Sequence, residues 1–385
     1  MNRAEPPITT LQLGMGWFPE QTGGANRVYY ELLRHLPSSG VVVNGVVAGS
    51  SEVGRNSRGG VHAFAPPVTP LLVRWWTLRR ELRRMLTQRQ PDLVVSHFPL
   101  YTFPVLDLIR SRPLVIHFHG PWALESQIEG DRTMVTRIKA LLEWSVYQRG
   151  ARFIVLSQAF RDILHLRYGV SPRCIRMVPG GVDVNRFTID LTRREAREQL
   201  GWPQDRPILL VVRRLVRRMG LEHLVAAIDQ ARKRIPEALL LVVGKGPLAK
   251  ALSDQVQLLG LSKNVRMLGF MPDEDLPMAY RAANLTVVPS VAFEGFGLTV
   301  VESLAAGTPA LVTPVGGLPE VVRDLSPGLV LPAIGTSPLS EGLVTALTRE
   351  SSLPDAEACR AYALARYDWS VIAGRVRGVY AEALR

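Results

Sequence analysis

Cysteine is nearly absent from this chain: Cys174 and Cys359 are the only two in 385 residues, far apart and outside any Cys-x-x-Cys pattern. A disulfide framework and a cysteine zinc site are therefore not expected, and a reducing cytoplasm is the default setting. Long apolar runs are missing too. No stretch approaches the roughly 18 apolar residues of a spanning helix, so an integral membrane protein is not expected. The amino terminus places Arg3, Glu5, Pro6 and Pro7 before a short apolar run that Gly14 and Gly16 interrupt, which is unlike a secretory signal. No low-complexity linker separates the halves, and no nucleic-acid recognition motif accompanies the basic charge.

Acid is scarce relative to base, with 46 Lys and Arg against 34 Asp and Glu, a formal charge of +12. The excess is clustered. Between Leu71 and Gln90, Arg74, Arg79, Arg80, Arg83, Arg84 and Arg89 face one acid, Glu81, while Leu71, Trp75, Leu78, Leu82 and Leu86 recur at helical spacing. On a helical wheel Trp76 falls among Arg80, Arg83 and Arg84, an arrangement that suits an anionic membrane surface. An ordinary solvated basic face has the same pattern.

What is plentiful is alternation. Apolar runs at Thr10–Gly14, Val41–Val47, Asp92–Ser96, Leu114–Phe118, Phe153–Ser157 and Ile175–Val178 are separated mostly by helical patterns. The rhythm repeats at Ile208–Val212, Leu239–Val243, Val265–Leu268, Leu285–Val288 and Ala310–Val312. The length allows about two domains, and strand–helix alternation predicts parallel sheets covered on both faces. The boundary is expected near residues 180–200, after Pro179-Gly180-Gly181-Val182-Asp183. Two such domains would bind ligand at the carboxyl ends of their strands, across a shared cleft.

The motifs sit at those strand ends. Gly23-Gly24 lies between the first strand and a helix, where paired glycines let backbone approach a phosphate or sugar, although turn geometry alone also calls for them. His117-Phe118-His119-Gly120 ends another strand. A His-x-His pair suggests metal, but no carboxylate or cysteine stands at a supporting spacing; no metal is expected, and His119 is the candidate for a substrate hydroxyl. In Arg213-Arg214-Leu215-Val216-Arg217-Arg218, four arginines beside a helix start could neutralise a diphosphate, with Arg214 and Arg218 expected inward and Arg213 and Arg217 solvated. Gly244-Lys245-Gly246-Pro247 lacks the third glycine of a dinucleotide loop and reads as a turn lining the nucleotide.

Phe293-Glu294-Gly295-Phe296-Gly297-Leu298 opens into an apolar helix that carries Glu302. Amides at the helix start favour an anion, and a carboxylate within an apolar helix needs a partner, which a ribose hydroxyl would supply. A capping or surface glutamate is the plainer reading of Glu302 taken alone.

The run from Glu294 to Glu302 resembles the E-x7-E motif of glycosyltransferase family 4, a retaining family with the GT-B fold, an α/β architecture of two Rossmann-like doubly wound domains facing a central cleft. The Gly23-Gly24 loop, His119, Val178–Asp183, Arg214-Leu215, Val243–Pro247 and Pro314–Glu320 follow in the family's order. The resemblance implies an acceptor-binding domain over residues 1–188, a nucleotide-sugar-binding domain over 189–366, and a terminal helix over 367–385 crossing back to the first. It implies that Glu302 holds ribose, Glu294 a donor-sugar hydroxyl, and the backbone of Gly295, Phe296, Gly297 and Leu298 the sugar or diphosphate. Arg214 would meet the diphosphate, His119 the transferred sugar, and Gly23, Gly24, Gly244 and Gly246 would line the donor site. The donor would be UDP- or GDP-linked and no further cofactor is implied. The family's usual lysine before the glycine at 220 is Met219 here, with Arg218 or Arg217 expected to replace it, and Gly180 stands in for an asparagine.

The expected activity is retaining, metal-independent hexosyl transfer to a lipid-linked or cell-surface polysaccharide acceptor, by a cytoplasmic protein peripheral on the inner face of the plasma membrane through residues 71–90. A soluble natural product or metabolite acceptor, a nucleotide-sugar epimerase of similar fold and a non-catalytic two-domain binding protein are the alternatives weighed.

Overall fold

Every strand pairing in the computed structural model, which describes residues 6–88 and 90–385, is parallel. Arg3, Glu5 and Arg89 lie outside the described residues. The chain divides into two compact units: residues up to Gly180 together with Trp369–Arg385, and Gly181–Asp368.

The first unit is built on seven strands: β1 (Ile8–Gly16), β2 (Val41–Ala48), β3 (Val61–Ala65), β4 (Leu93–Ser96), β5 (Leu114–Phe118), β6 (Arg152–Val155) and β7 (Ile175–Met177), in the order β3-β2-β1-β4-β5-β6-β7. Leu13, Val94 and Ile116 bury one face of this sheet with Leu78 and Leu82 of the helix Leu71–Gln88. Trp17, Tyr29 and Leu33 pack with Val47 in a separate cluster. The helix Trp369–Ala383 belongs to this unit through Ile372, Val376 and Tyr380, all buried.

The second unit has five strands: β8 (Ile208–Val212), β9 (Leu239–Val243), β10 (Val265–Gly269), β11 (Leu285–Val288) and β12 (Ala310–Val312), in the order β10-β9-β8-β11-β12. β9 reads Leu-Leu-Leu-Val-Val and is buried throughout, as a strand covered on both faces must be. Leu224 and Ile228, from the helix Leu221–Ala231, join Leu339 and Leu343, from Thr336–Thr348, in the core over Leu209, Val211, Leu240 and Val287. In both units the strand order reverses beside the first strand, between β1 and β4 and between β8 and β11. Such switch points open a crevice at the carboxyl ends of the strands.

Two features differ from the sequence reading. β3 was not expected: Val-His-Ala-Phe-Ala is short and sits at the sheet edge with mixed burial, so it gives almost no period-two signal. The basic helix forms as expected, but its arginines are not uniformly solvated. Arg79 makes a two-pronged pair with Asp107 at 2.6 and 2.7 Å, Arg74 donates to the Tyr101 hydroxyl and Arg84 pairs with Glu81. Trp76 remains 61% exposed, with the Arg80 guanidinium 5.0 Å from its ring centroid.

Candidate active site

At the switch point of the second unit, β8 runs out into Arg213 and β11 into Ser290. The Arg213 side chain, only 6% exposed, pairs with the Glu294 carboxylate, and its Nε and Nη2 point at the Met219 thioether at 3.2 and 2.8 Å. Glu294 also accepts from the Ser290 hydroxyl at 3.2 Å. Burial pushes the Glu294 carboxyl up, but the Arg213 guanidinium, with the Arg218 charge and the Ser290 hydroxyl, holds it below the usual carboxylate range. This corrects the expectation that Arg213 is solvated. An ionised, nearly buried carboxylate requires a cation, and Arg213 turns inward to supply it.

Arg218 is buried as expected; its Nη1 donates to the Phe293 carbonyl at 3.2 Å, and its own carbonyl accepts from the Val291 amide at 2.9 Å. Arg214, expected inward, is instead exposed, and Arg217 is exposed as expected. Gly244 fits because nothing larger can: a Cβ there would lie 1.8 Å from the Arg213 carbonyl oxygen. Gly246 is pressed in the same way against the Leu215 carbonyl, so the loops after β8 and β9 are locked together.

The turn from Phe293 to Gly297 is gripped from its other side as well. The Gly317 amide donates to the Glu294 carbonyl at 2.9 Å, and Gly316, at φ +57°, approaches so closely that a Cβ would sit 1.8 Å from that oxygen. Phe293 itself takes φ +46°, and Phe296 turns its ring into the core against Tyr367, leaving only its backbone for a ligand. Gly297 then opens the helix Leu298–Ala305 without a side-chain cap. In the first turn of that helix the Thr299 hydroxyl is buried without a hydrogen-bond partner among the described residues. Glu302 is 6% exposed and accepts from the Tyr280 hydroxyl at 2.9 Å. The buried acid therefore does have a protein partner, which the sequence did not reveal.

At the switch point of the first unit three imidazoles gather. His97 follows β4; its ring lies 4.4 Å from that of His117, at 21°, and its Nδ1 is 3.1 Å from His119 Nε2. His97 Nε2 meets Gln12 Oε1 at 2.9 Å, and His117 Nε2 meets the Tyr380 hydroxyl at 3.0 Å. Burial keeps all three neutral: His97 and His117 are held well below the ordinary histidine value and His119 is pushed down to about 4. Among the described residues no group of three or more His, Cys, Asp or Glu could hold a metal ion. Gly23, at φ +132°, starts the helix Gly24–His35 without a side-chain cap.

The sequence singled out His119, Arg214, Arg218, Glu294 and Glu302. The structure brings Arg218 and Glu294 together with Arg213 and Ser290, and places Glu302 on the helix that follows. Gln12, His97, Arg213, Tyr280 and Tyr380 were missed. His97 alone had a legible signal, since it directly follows an apolar strand just as His119 does.

Two family descriptions match this chain. Glycosyltransferase Family 4 covers residues 22–186 and Glycosyl transferases group 1 covers residues 192–365. A D-inositol 3-phosphate glycosyltransferase of Streptomyces bingchenggensis is 30% identical over 308 residues, 76% of this chain and 67% of that protein. Across the first curated relatives the matched segment spans between 40% and 67% of their length. Sucrose-phosphate synthase from Thermosynechococcus elongatus superposes with a TM-score of 0.82 at 24% identity, covering 97% of this chain and 98% of that one. Anabaena HepE, solved with UDP and glucose, gives 0.79 at 21% identity, covering 97% and 100%. The two parallel sheets thus have the GT-B architecture, and the chain belongs to glycosyltransferase family 4.

Proposed function

We propose that the Gly181–Asp368 unit binds a UDP- or GDP-linked sugar and that the protein transfers the hexosyl group, with retention and without a metal, to a lipid-linked or cell-surface polysaccharide acceptor held by the first unit. The observation that carries this reading is the uncapped helix start after Gly297, which directly follows the turn gripped by Arg213 through Glu294 and by Arg218 through the Phe293 carbonyl. A diphosphate oxygen satisfies the first-turn amides that no side chain caps.

In the reaction the bond from the anomeric carbon to the phosphate oxygen breaks, with its electron pair leaving on the diphosphate. The acceptor oxygen bonds on the same face, and its proton passes to the departing phosphate. Arginines and helix-start amides stabilise the charge that builds on the leaving group, lowering the barrier more than they tighten ground-state binding. Arg214 meets the diphosphate, Glu302 the ribose and Glu294 a sugar hydroxyl; the last two act in binding. His119 meets the transferred sugar.

The lipid-linked acceptor is supported by the surface of the first unit. Leu72 and Trp76 on the helix Leu71–Gln88, and Met134, Ile138, Leu141 and Trp144 on Thr133–Tyr147, are all more than half exposed. Arg80 and Arg83 are exposed beside the first pair, and both helices pack on the short turn Phe103–Val105. Apolar side chains flanked by arginines suit the inner face of an anionic membrane, and among the described residues no helix is long and apolar enough to cross one. A second reading follows from the inositol phosphate named in the Streptomyces relative, which favours a small phosphorylated polyol as acceptor.

A thermal-shift screen of UDP- and GDP-sugars tests the donor, because a ligand of the native state raises stability by mass action. Stabilisation by none of them refutes the assignment, and isomerised sugar from donor alone would indicate an epimerase. Flotation with anionic vesicles tests the acceptor surface: binding lost on charge reversal at Arg80 and Arg83 supports a lipid, while no binding by the wild type favours the soluble polyol.

A further inference from the structure

The direction of every hydrogen bond in the chain that ends at His119 can be worked out from its far end. The Val42 carbonyl can only accept, so the Thr10 hydroxyl, 3.1 Å away, donates to it. Thr10 Oγ1 in turn accepts from Gln12 Nε2 at 3.2 Å, which leaves Gln12 Oε1 facing His97 Nε2 at 2.9 Å. That oxygen can only accept, so His97 carries its proton on Nε2. A buried neutral imidazole has one proton, and His97 Nδ1 is therefore a lone pair. It lies 3.1 Å from His119 Nε2, with the two ring planes only 20° apart and the centroids at 5.4 Å, so the contact runs edge to edge along the lone-pair direction. His119 must donate from Nε2. Its Nδ1 has no protein partner among the described residues and is not sealed from solvent.

We propose that His97 is a positioning residue that locks His119 in the Nε2–H tautomer, so that Nδ1 of His119 is an acceptor only and takes a hydrogen bond from a sugar hydroxyl. The lock is rigid. His97 is held by stacking on His117, which Tyr380 anchors, and by the edge of Tyr29 at 4.8 Å and 80°. An acceptor-only atom selects a hydroxyl, which can donate, and gains nothing from a phosphoryl or ether oxygen, which cannot. The role assigned to the lone pair rests on the reading that His119 meets the transferred sugar, whereas the tautomer does not depend on it.

The test is histidine-selective nitrogen NMR on the full chain without ligand at about pH 7.5, where ordinary neutral tautomers are distinguishable from the cation. In the wild type His97 and His119 should both show protonated Nε2 and bare Nδ1. His97→Asn, whose amide oxygen takes the place of Nδ1, should keep that pattern at His119 and keep kcat/KM within about threefold. His97→Gln and His97→Phe should release it to a tautomer mixture and lower kcat/KM on the order of tenfold or more, as loss of a buried orienting partner does. A wild-type His119 protonated on Nδ1 or charged, or a His119 signal indifferent to His97→Phe, overturns the lock. If a variant fails to fold, the wild-type spectrum still decides the tautomer. If the lock holds but His119→Ala leaves the kinetics unchanged, the sugar contact is refuted and the donor assignment in the other unit is untouched.

Discussion

Replacing Arg213 with methionine takes the cation from a carboxylate that burial already disfavours. The Arg213 side chain is 6% exposed and that of Glu294 14%, so little water can replace the lost guanidinium. Breaking a buried pair by deleting one partner costs about 3–5 kcal/mol. Here the residual exposure of Glu294, the Ser290 hydroxyl and the Arg218 charge all remain to support the carboxylate, which brings the expected loss down to about 2–3 kcal/mol. Methionine keeps the volume and can pack against Met219, so the cost isolates the charge. Urea titration followed by a probe in the Gly181–Asp368 unit reads it as a lower midpoint; with a slope of about 2–3 kcal/mol per molar, the shift is about 1 M. The second half of the test is Arg213→Met with Glu294→Gln, which removes the stranded charge and should recover most of the loss. A single variant within about 0.5 kcal/mol of wild type, or a double variant no more stable than the single, would show that the pair does not hold this turn together.

Three further outcomes are expected. Glu302→Ala should raise the dissociation constant for the nucleoside diphosphate by tenfold or more, about 1.4 kcal/mol, while Tyr280→Phe should cost less because the carboxylate remains; equal, negligible effects in calorimetry would remove Glu302 from the ribose site. Gly316→Ala places a Cβ against the Glu294 carbonyl at a left-handed φ, and should cost at least about 1–2 kcal/mol and weaken donor binding; an unchanged melting temperature would contradict the close approach. His119, with a folded pKa near 4 and an unfolded value near 6.5, binds its proton less readily when folded. Its contribution is therefore intact above pH 6.5 and is lost as pH falls toward 4, about 3 kcal/mol in all. Glu143, pushed up to about 7 by burial, works in the opposite sense between its unfolded and folded values. The measurement is accordingly the stability gap between wild type and His119→Phe, which should move against wild type on acidification; a constant gap would refute the shift.

The strands of both sheets were legible, apart from β3, most plainly where a strand such as β8 or β9 is buried on both faces and so reads as a near-continuous apolar run that needs no tertiary information to stand out. The glycine turns and the E-x7-E spacing were legible for a similar reason: they are local, and backbone geometry at a turn or helix start is set by neighbours in sequence. Arg213 shows where that stops. Nothing in four arginines within six residues says which one turns inward, because the answer depends on Glu294, eighty-one positions away and on another strand's loop.

What the sequence determined by itself was therefore the alternating architecture, the glycine turns where backbone passes close to its neighbours, and the residue types available there. Only the tertiary structure decided the partners: Tyr280 for Glu302, Arg213 for Glu294, Asp107 for Arg79, and His97 for His119. Hydrogen bonds and ion pairs reach only a few ångströms, so which groups meet is fixed by strand order and helix packing, and those arise from burial summed over the whole chain.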